Sequence, residues 1–335
     1  MEQKSRHERN GIVTAFALAL RRNQFGRTTK PSLRGDTIKH TIAQVAQTFR
    51  THGLTDPSLD AVGRRHFVID RLLQGFIKAD APVSCQPALP LAVFRALLRM
   101  AHSELDKAVS TLVCGALFFG MRSCEYLKVP GGAETRQTKK IKIGNIVFRS
   151  GREVIPQHSH LCYLQQAETV SITFENQKNG EKMETVTQHR TDIDMCPVKF
   201  WASTVHRIRG YPGSTDRTTV DTVCINGNCF AISAAAVRVY LRRATKTVGE
   251  EKLGFSADGV GTHSVRASFA MMLVLNNVED SAIMKKGRWK SAAFLDYIRQ
   301  QLSSYGLKIS KMIASSACDD FFAIPHVGNI KLDTH

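Results

Sequence analysis

Apolar residues recur every three or four positions in three stretches of the first eighty residues, 12–22, 37–50 and 60–78. Gly, Pro and Thr-Asp signals separate them, so the pattern predicts three amphipathic helices. The run from Asp80 to Pro90 then holds Pro82, Pro87 and Pro90, a composition suited to an extended linker rather than a helix. Beyond it, 91–102 and 108–121 again have helical spacing, and the second is apolar nearly all round, which predicts a helix buried in a core. The period then shortens to two. Segments 141–148, 154–155, 170–174 and 183–187 cluster β-branched residues between Gly, Asn and Pro, as short strands do. From Cys196 onward helical spacing returns at 198–207, 233–248, 263–275, 280–286 and 292–302. The expected fold class is therefore mostly α with a small β-sheet (α+β). Its expected parts are a helical domain over 1–80, a linker over 81–90, a mixed domain over 91–320 and a patternless tail over 321–335. No internal repeat of fixed period is present.

Charge narrows the choice of partner. Against 29 Asp and Glu the chain carries 46 Lys and Arg, a net charge of +17, which favours a polyanion, nucleic acid before any other. No stretch approaches the roughly 20 apolar residues that span a bilayer. The apolar segment 12–20 follows a basic start, but Arg21 and Arg22 stand where a signal-peptide cleavage site would need small residues. The eight cysteines form no Cys-x-x-Cys pair, and Cys224 and Cys229 are too isolated for a zinc site, so reduced thiols are expected. His158, His160 and Cys162 alternate as on a strand, a pattern that single coincidences produce often; no metal and no cofactor are assigned.

Five places could carry chemistry, and each has an ordinary reading beside it. Arg122 ends the buried helix in Ala116-Leu-Phe-Phe-Gly-Met-Arg-Ser-Cys-Glu, with Glu125 three residues on and on the same side. A helix-terminal ion pair explains this as well as a phosphate contact does. Lys178 precedes Asn179-Gly180, a strong hairpin signal, which places it at a β-hairpin tip where surface lysines are common. His263 and Arg266 stand three apart at a helix start, with Thr262 as the expected N-cap. Val265, Phe269 and Met272 form the apolar stripe, so the pair is expected to point away from the core, as any solvated polar face would. Trp289 falls in a turn and Tyr297 beside the apolar stripe of Phe294, Ile298 and Leu302, where core packing is the ordinary role.

Taken in order, Arg122 with Glu125, Lys178 on a hairpin, His263-x-x-Arg266, Trp289 and Tyr297 resemble the catalytic set of the tyrosine recombinase (phage integrase) family. The strings Gly287-Arg-Trp-Lys-Ser and Gln177-Lys-Asn-Gly-Glu resemble its eukaryotic mobile-element branch, the Crypton and DIRS-type elements. The likeness covers roughly residues 85–305; the first eighty match only in being small, basic and helical. The step from Trp289 to Tyr297 looks one residue shorter than in bacterial integrases, which leaves Tyr305 as a second candidate nucleophile. The resemblance implies a helical core-binding domain and a mixed catalytic domain clamping double-stranded DNA like a C.

It further implies a site-specific recombinase or integrase that breaks and rejoins DNA through a 3′-phosphotyrosine, as a tetramer on two sites that exchanges a helix or tail after Leu302 between neighbours, with nuclear residence. In that scheme Tyr297 attacks, Arg122 and Arg266 hold nonbridging oxygens, Lys178 protonates the leaving oxygen and His263 takes the phenol proton. Trp289 donates through its indole nitrogen, and Glu125 orients Arg122 without touching DNA. Three rivals remain at this point: a domesticated DNA-binding relative that no longer cuts, a type IB topoisomerase-like relaxing enzyme, and a basic scaffold without catalysis.

Overall fold

The computed structural model describes residues 5–26, 32–81, 85–130, 138–177 and 180–295. By its internal contacts the chain divides into two units, Met1–Ser84 and Cys85–His335.

In the first unit, α1 (Arg6–Arg21), α2 (Gly35–Thr51) and α3 (Phe67–Ala79) pack apolar stripes of Val13, Ala17, Leu20, Ile38, Ile42, Ile69 and Leu73 into one core. Asp80 closes this unit: its carboxylate accepts from the Gly35 amide at the start of α2 at 2.7 Å and from Arg21 at 2.5 Å. The expectation of helix from residue 60 is corrected, because α3 begins only at Phe67. The Asp60 side chain accepts from the Val62 and Arg64 amides, both at 2.9 Å, and so diverts this backbone into a turn.

The second unit runs α4 (Leu91–Arg99), α5 (Glu104–Phe118), α6 (Ser123–Tyr126), β1 (Ile146–Ser150), β2 (Glu153–Ile155), α7 (Leu161–Gln166), β3 (Thr169–Asn176), β4 (Lys182–His189), α8 (Pro197–Arg209), β5 (Thr222–Ile225), β6 (Asn228–Ala231), α9 (Ala234–Val248), α10 (Glu250–Leu253), α11 (Thr262–Leu275) and α12 (Asp280–Gly287). One antiparallel sheet has the order β2-β1-β3-β4, and β5-β6 form a separate hairpin. Helix α5 is the axis of the core, buried from Ala108 to Leu117 on every side but one position. Trp201 of α8 donates its indole N–H to the Gly115 carbonyl at 3.2 Å. A Cβ on Gly115 would lie 3.0 Å from that nitrogen, so the glycine is what lets α8 approach.

Further expectations are corrected here. The strand expected over 141–148 begins only at Ile146, since the Asn145 side chain accepts from the Lys142 amide at 2.9 Å and folds the preceding residues into a 3-10 turn. His158, His160 and Cys162 do not lie on a strand: His160 is the N-cap of α7. Cys224 and Cys229 are direct cross-strand partners in β5-β6. Of the segment expected as a linker, residues 86–90 fasten onto α11. The Leu89 amide donates to Ser268 Oγ at 2.7 Å, and Gln86 Oε1 accepts from the His263 amide at 2.9 Å and the Ser264 amide at 3.3 Å. The N-cap of α11 is accordingly Gly261 rather than Thr262, with the capping oxygen supplied by Gln86 in the space a Gly261 side chain would fill.

Ser103 and Asp106 form a capping box at the start of α5, and Tyr240 of α9 donates its hydroxyl to Asp106 at 2.7 Å. The Tyr240 bond, then the Ser103 amide, holds the Asp106 carboxyl down at about 2. A depressed carboxyl stabilises the fold above its unfolded value and loses that effect as pH falls through the folded one. Asp106→Ala should therefore lower the melting temperature by roughly 2–4 °C at pH 7, a cap loss of about 1 kcal/mol. The difference from wild type should shrink as melts are repeated towards pH 2.

Candidate active site

Helix α5 stops because Gly120 takes a positive φ of 52°, and the chain then turns through Met121 into Arg122, the N-cap of α6. The α6 turn returns the Glu125 carboxylate, 1 % exposed, onto Arg122: one oxygen accepts from the Arg122 amide at 2.8 Å, the other from its guanidinium at 3.1 Å. Arg122 is thus held by a buried carboxylate while part of its side chain, 17 % exposed, reaches solvent.

Arg266 stands in the second turn of α11, and the expectation that it points away from the core is corrected: the residue is 2 % exposed. Its guanidinium donates to the Gly120 carbonyl and, at 2.6 Å, to the Gly287 carbonyl. It lies over the Trp289 ring at 4.0 Å. Burial is tolerated because these carbonyls from two distant turns satisfy the donors and the indole face meets the cation. Trp289 also stacks on Phe269 at 6.2 Å and contacts Phe294 at 5.8 Å, so it joins the arginine to a small apolar cluster. His263, one turn before Arg266, is exposed.

The turn after α12 ties these parts together. Gly287 is buried, and a side chain there would overlap the Trp289 ring. Arg288 adopts the left-handed conformation, φ 58° and ψ 46°. Its carbonyl accepts from Arg122 at 3.2 Å, and the neighbouring Gly287 carbonyl is the one that accepts from Arg266. A single turn therefore holds both candidate phosphate-binding guanidiniums.

Sequence reasoning passed over Arg288 itself. Its guanidinium pairs with Glu125 at 2.6 Å and donates to Gln177 Oε1 and to the Phe119 carbonyl, both at 3.0 Å. It lies over the Phe174 ring at 3.6 Å. Burial pushes its pKa below the ordinary arginine value, and the Glu125 carboxylate opposes that shift. Gln177, fully buried, donates in turn to Glu184 at 2.5 Å. In the chain it immediately precedes Lys178. The only signal in the sequence was an arginine between Gly287 and Trp289, which reads as a surface turn.

Arg122, Glu125, Arg266 and Trp289 are thus brought together. Lys178, Tyr297 and Tyr305 lie outside the described residues. Of the four described tyrosines, three are buried or bonded elsewhere and one is exposed. Tyr126 is fully buried with its phenol pushed up by burial, Tyr163 is exposed on α7, Tyr211 accepts from Arg207, and Tyr240 bonds Asp106. Among the described residues no group of three His, Cys, Asp or Glu side chains could hold a metal ion, and no helix is long and apolar enough to cross a membrane.

No protein-family model and no curated protein sequence matches the chain. Its fold is matched by solved structures. The XerH site-specific recombinase bound to a palindromic difH substrate in a post-cleavage complex superposes with a TM-score of 0.50 at 14% identity, over 89% of this chain and 71% of that one. The Tn1549 transposon integrase in complex with circular intermediate DNA gives 0.48 at 12% identity, over 86% and 80% of the two chains. A lambda integrase dimer bound to a COC' core site gives 0.45 at 14% identity, over 89% and 80%. The mostly helical α+β architecture with its small antiparallel sheet is the fold of the tyrosine recombinase catalytic domain.

Proposed function

We propose that the chain is a site-specific DNA recombinase or integrase that breaks and rejoins double-stranded DNA through a tyrosine-phosphate bond. The observation that carries this reading is the pair Arg122 and Arg266, both held by carbonyls of one turn, with Arg122 also paired to the buried Glu125 carboxylate. Two fixed guanidinium forks suit the two nonbridging oxygens of a phosphodiester, and their charge is matched best when those oxygens gain charge in the pentavalent transition state.

In the reaction proposed, the Tyr297 oxygen attacks phosphorus and the bond from phosphorus to the 5′-oxygen breaks. The phenol proton passes to His263, exposed at the start of α11, and the Lys178 ammonium supplies a proton to the departing 5′-oxygen. The product is a 3′-phosphotyrosine and a free 5′-hydroxyl, and the reverse steps rejoin the strand without a nucleotide cofactor. Trp289 keeps Arg266 in place through the face of its ring, and Glu125 holds Arg122. The string Gly287-Arg-Trp-Lys-Ser supports a kinship with the eukaryotic mobile-element branch, and nuclear residence and a tetrameric assembly on two sites belong to the same proposal.

The test is covalent trapping. The protein is incubated with a library of nicked duplexes, denatured, and any DNA-linked peptide is mapped by mass spectrometry. A link at Tyr297 that forms equally in EDTA is expected, since the arginines and Lys178 supply the positive charge that a divalent ion would otherwise bring. Binding should weaken by a factor of roughly 10³ or more between 50 and 200 mM salt, as for any protein whose contacts are mainly to phosphates. Salt-sensitive binding with no adduct on any duplex would replace the enzyme by a binding protein.

A further inference from the structure

We infer that Arg288 is a positioning residue of the cleavage site, one that sets the Arg122 side and the β3-β4 hairpin side in a fixed relation. The inference rests on the DNA-cleavage reading above and deepens it.

The Arg288 side chain is 0% exposed and its charge is paired with the buried Glu125 carboxylate, so it is committed to protein partners rather than to a phosphate. Each of its three guanidinium nitrogens donates to protein: Nε to Gln177, one terminal nitrogen to the Phe119 carbonyl, the other to Glu125. These partners come from three separate places, the end of α5, the α6 turn and the end of β3. A planar guanidinium with donors in fixed directions can hold three acceptors at fixed angles, which an ammonium on a flexible stem cannot. The Phe174 ring, 3.6 Å away, restrains the guanidinium from a further side.

The backbone of Arg288 is set as firmly. A left-handed conformation is one that glycine adopts freely and an L residue adopts only against a steric cost. A glycine would serve if the turn alone mattered. With arginine there, the same residue accepts from Arg122 through its carbonyl and reaches in the other direction through its side chain. Glu125 completes the circuit, since its carboxylate bonds Arg122 and Arg288 at once. On the hairpin side, Gln177 is held between Arg288 and Glu184, and the Gln177 amide pairs with the Glu181 carbonyl across the hairpin at 3.0 Å. Gln177 immediately precedes Lys178 in the sequence.

A residue acting in this way should affect the chemical step more than DNA binding, and should matter most when the leaving oxygen needs a proton. Single-turnover cleavage is measured for wild type, Arg288→Met and Arg288→Lys on two nicked duplexes. One carries the ordinary 5′-bridging oxygen and the other a 5′-bridging sulfur, which departs as a thiolate without protonation. Arg288→Met should cut the oxygen duplex about 10²-fold more slowly than wild type, the loss typical of a misplacement near 1 Å. Its DNA affinity should stay within about threefold, and on the sulfur duplex its deficit should fall at least tenfold. Arg288→Lys, which keeps the charge but not the fork, should show a smaller deficit with the same sulfur dependence; it carries the test if Arg288→Met does not fold. Equal deficits on both duplexes, or no deficit at all, would overturn the inference. Absence of an adduct with wild type on every duplex would instead overturn the cleavage reading on which it rests.

Discussion

Tyr297→Phe protein should form no covalent adduct with nicked duplex DNA while binding that DNA as tightly as wild type. Removing the nucleophile of a covalent mechanism while leaving the rest of the site intact costs on the order of 10⁴–10⁶ in rate. The change takes away a single oxygen and keeps the ring. Affinity should be spared because it comes from phosphate contacts to arginines and lysines, not from the phenol. Two of the described tyrosines are poor substitutes: the Tyr126 hydroxyl is buried without a hydrogen-bond partner among the described residues, and the Tyr240 phenol, pushed up to about 12 first by burial and then by its bond to Asp106, is a poor source of phenolate. Tyr305→Phe serves as the comparison. If that change abolishes the adduct and Tyr297→Phe does not, the nucleophile is Tyr305 and the alignment after Trp289 is off by eight residues. If neither change matters, the covalent mechanism is wrong.

The helices were legible because their apolar residues repeat with the helical period, and the strands of the main sheet because β-branched residues cluster at 170–174 and 183–187, inside β3 and β4. The elements passed over are short or obscured. The β5-β6 hairpin carries an Asn226-Gly227 turn, with both residues at positive φ. Its strands, however, are four residues long and include the two cysteines that were weighed as metal ligands instead. Helix α7 has six residues, too few for periodicity to register.

At the site, the sequence yielded the residues with a distinctive order and spacing but not the way they are held. Arg266 looked solvent-facing because its own helix puts Val265 and Phe269 on the apolar side. It is buried because carbonyls of Gly120 and Gly287, 146 and 21 residues away in the chain, meet its guanidinium. Arg288 looked like a surface turn for the same reason: Gln177, Glu125 and Phe119 lie 111, 163 and 169 residues from it. Partnerships of that separation leave no trace in local pattern.

Glu125→Gln is expected to destabilise the second unit by about 3–5 kcal/mol, the usual consequence of removing one partner from a buried ion pair. The carboxylate is almost fully buried and is bonded by two guanidiniums, Arg122 and Arg288. Its loss leaves those two charges facing each other, and the new amide group would direct a donor at groups that are themselves only donors. At roughly 2–4 °C per kcal/mol for a unit of this size, the melting temperature should fall by about 6–20 °C. An oxyanion can take the place of the missing charge. Sulfate should therefore raise the melting temperature of Glu125→Gln by more than it raises that of wild type, through the ordinary linkage between binding and folding. Adding Arg288→Met to Glu125→Gln removes the second uncompensated cation and should restore several degrees, yet cleavage should stay low because Arg122 has lost its anchor. Thermal melts with and without sulfate decide the matter. A melting temperature within about 2 °C of wild type, a change of under ~1 kcal/mol, would mean that the two guanidiniums are neutralised by something other than Glu125.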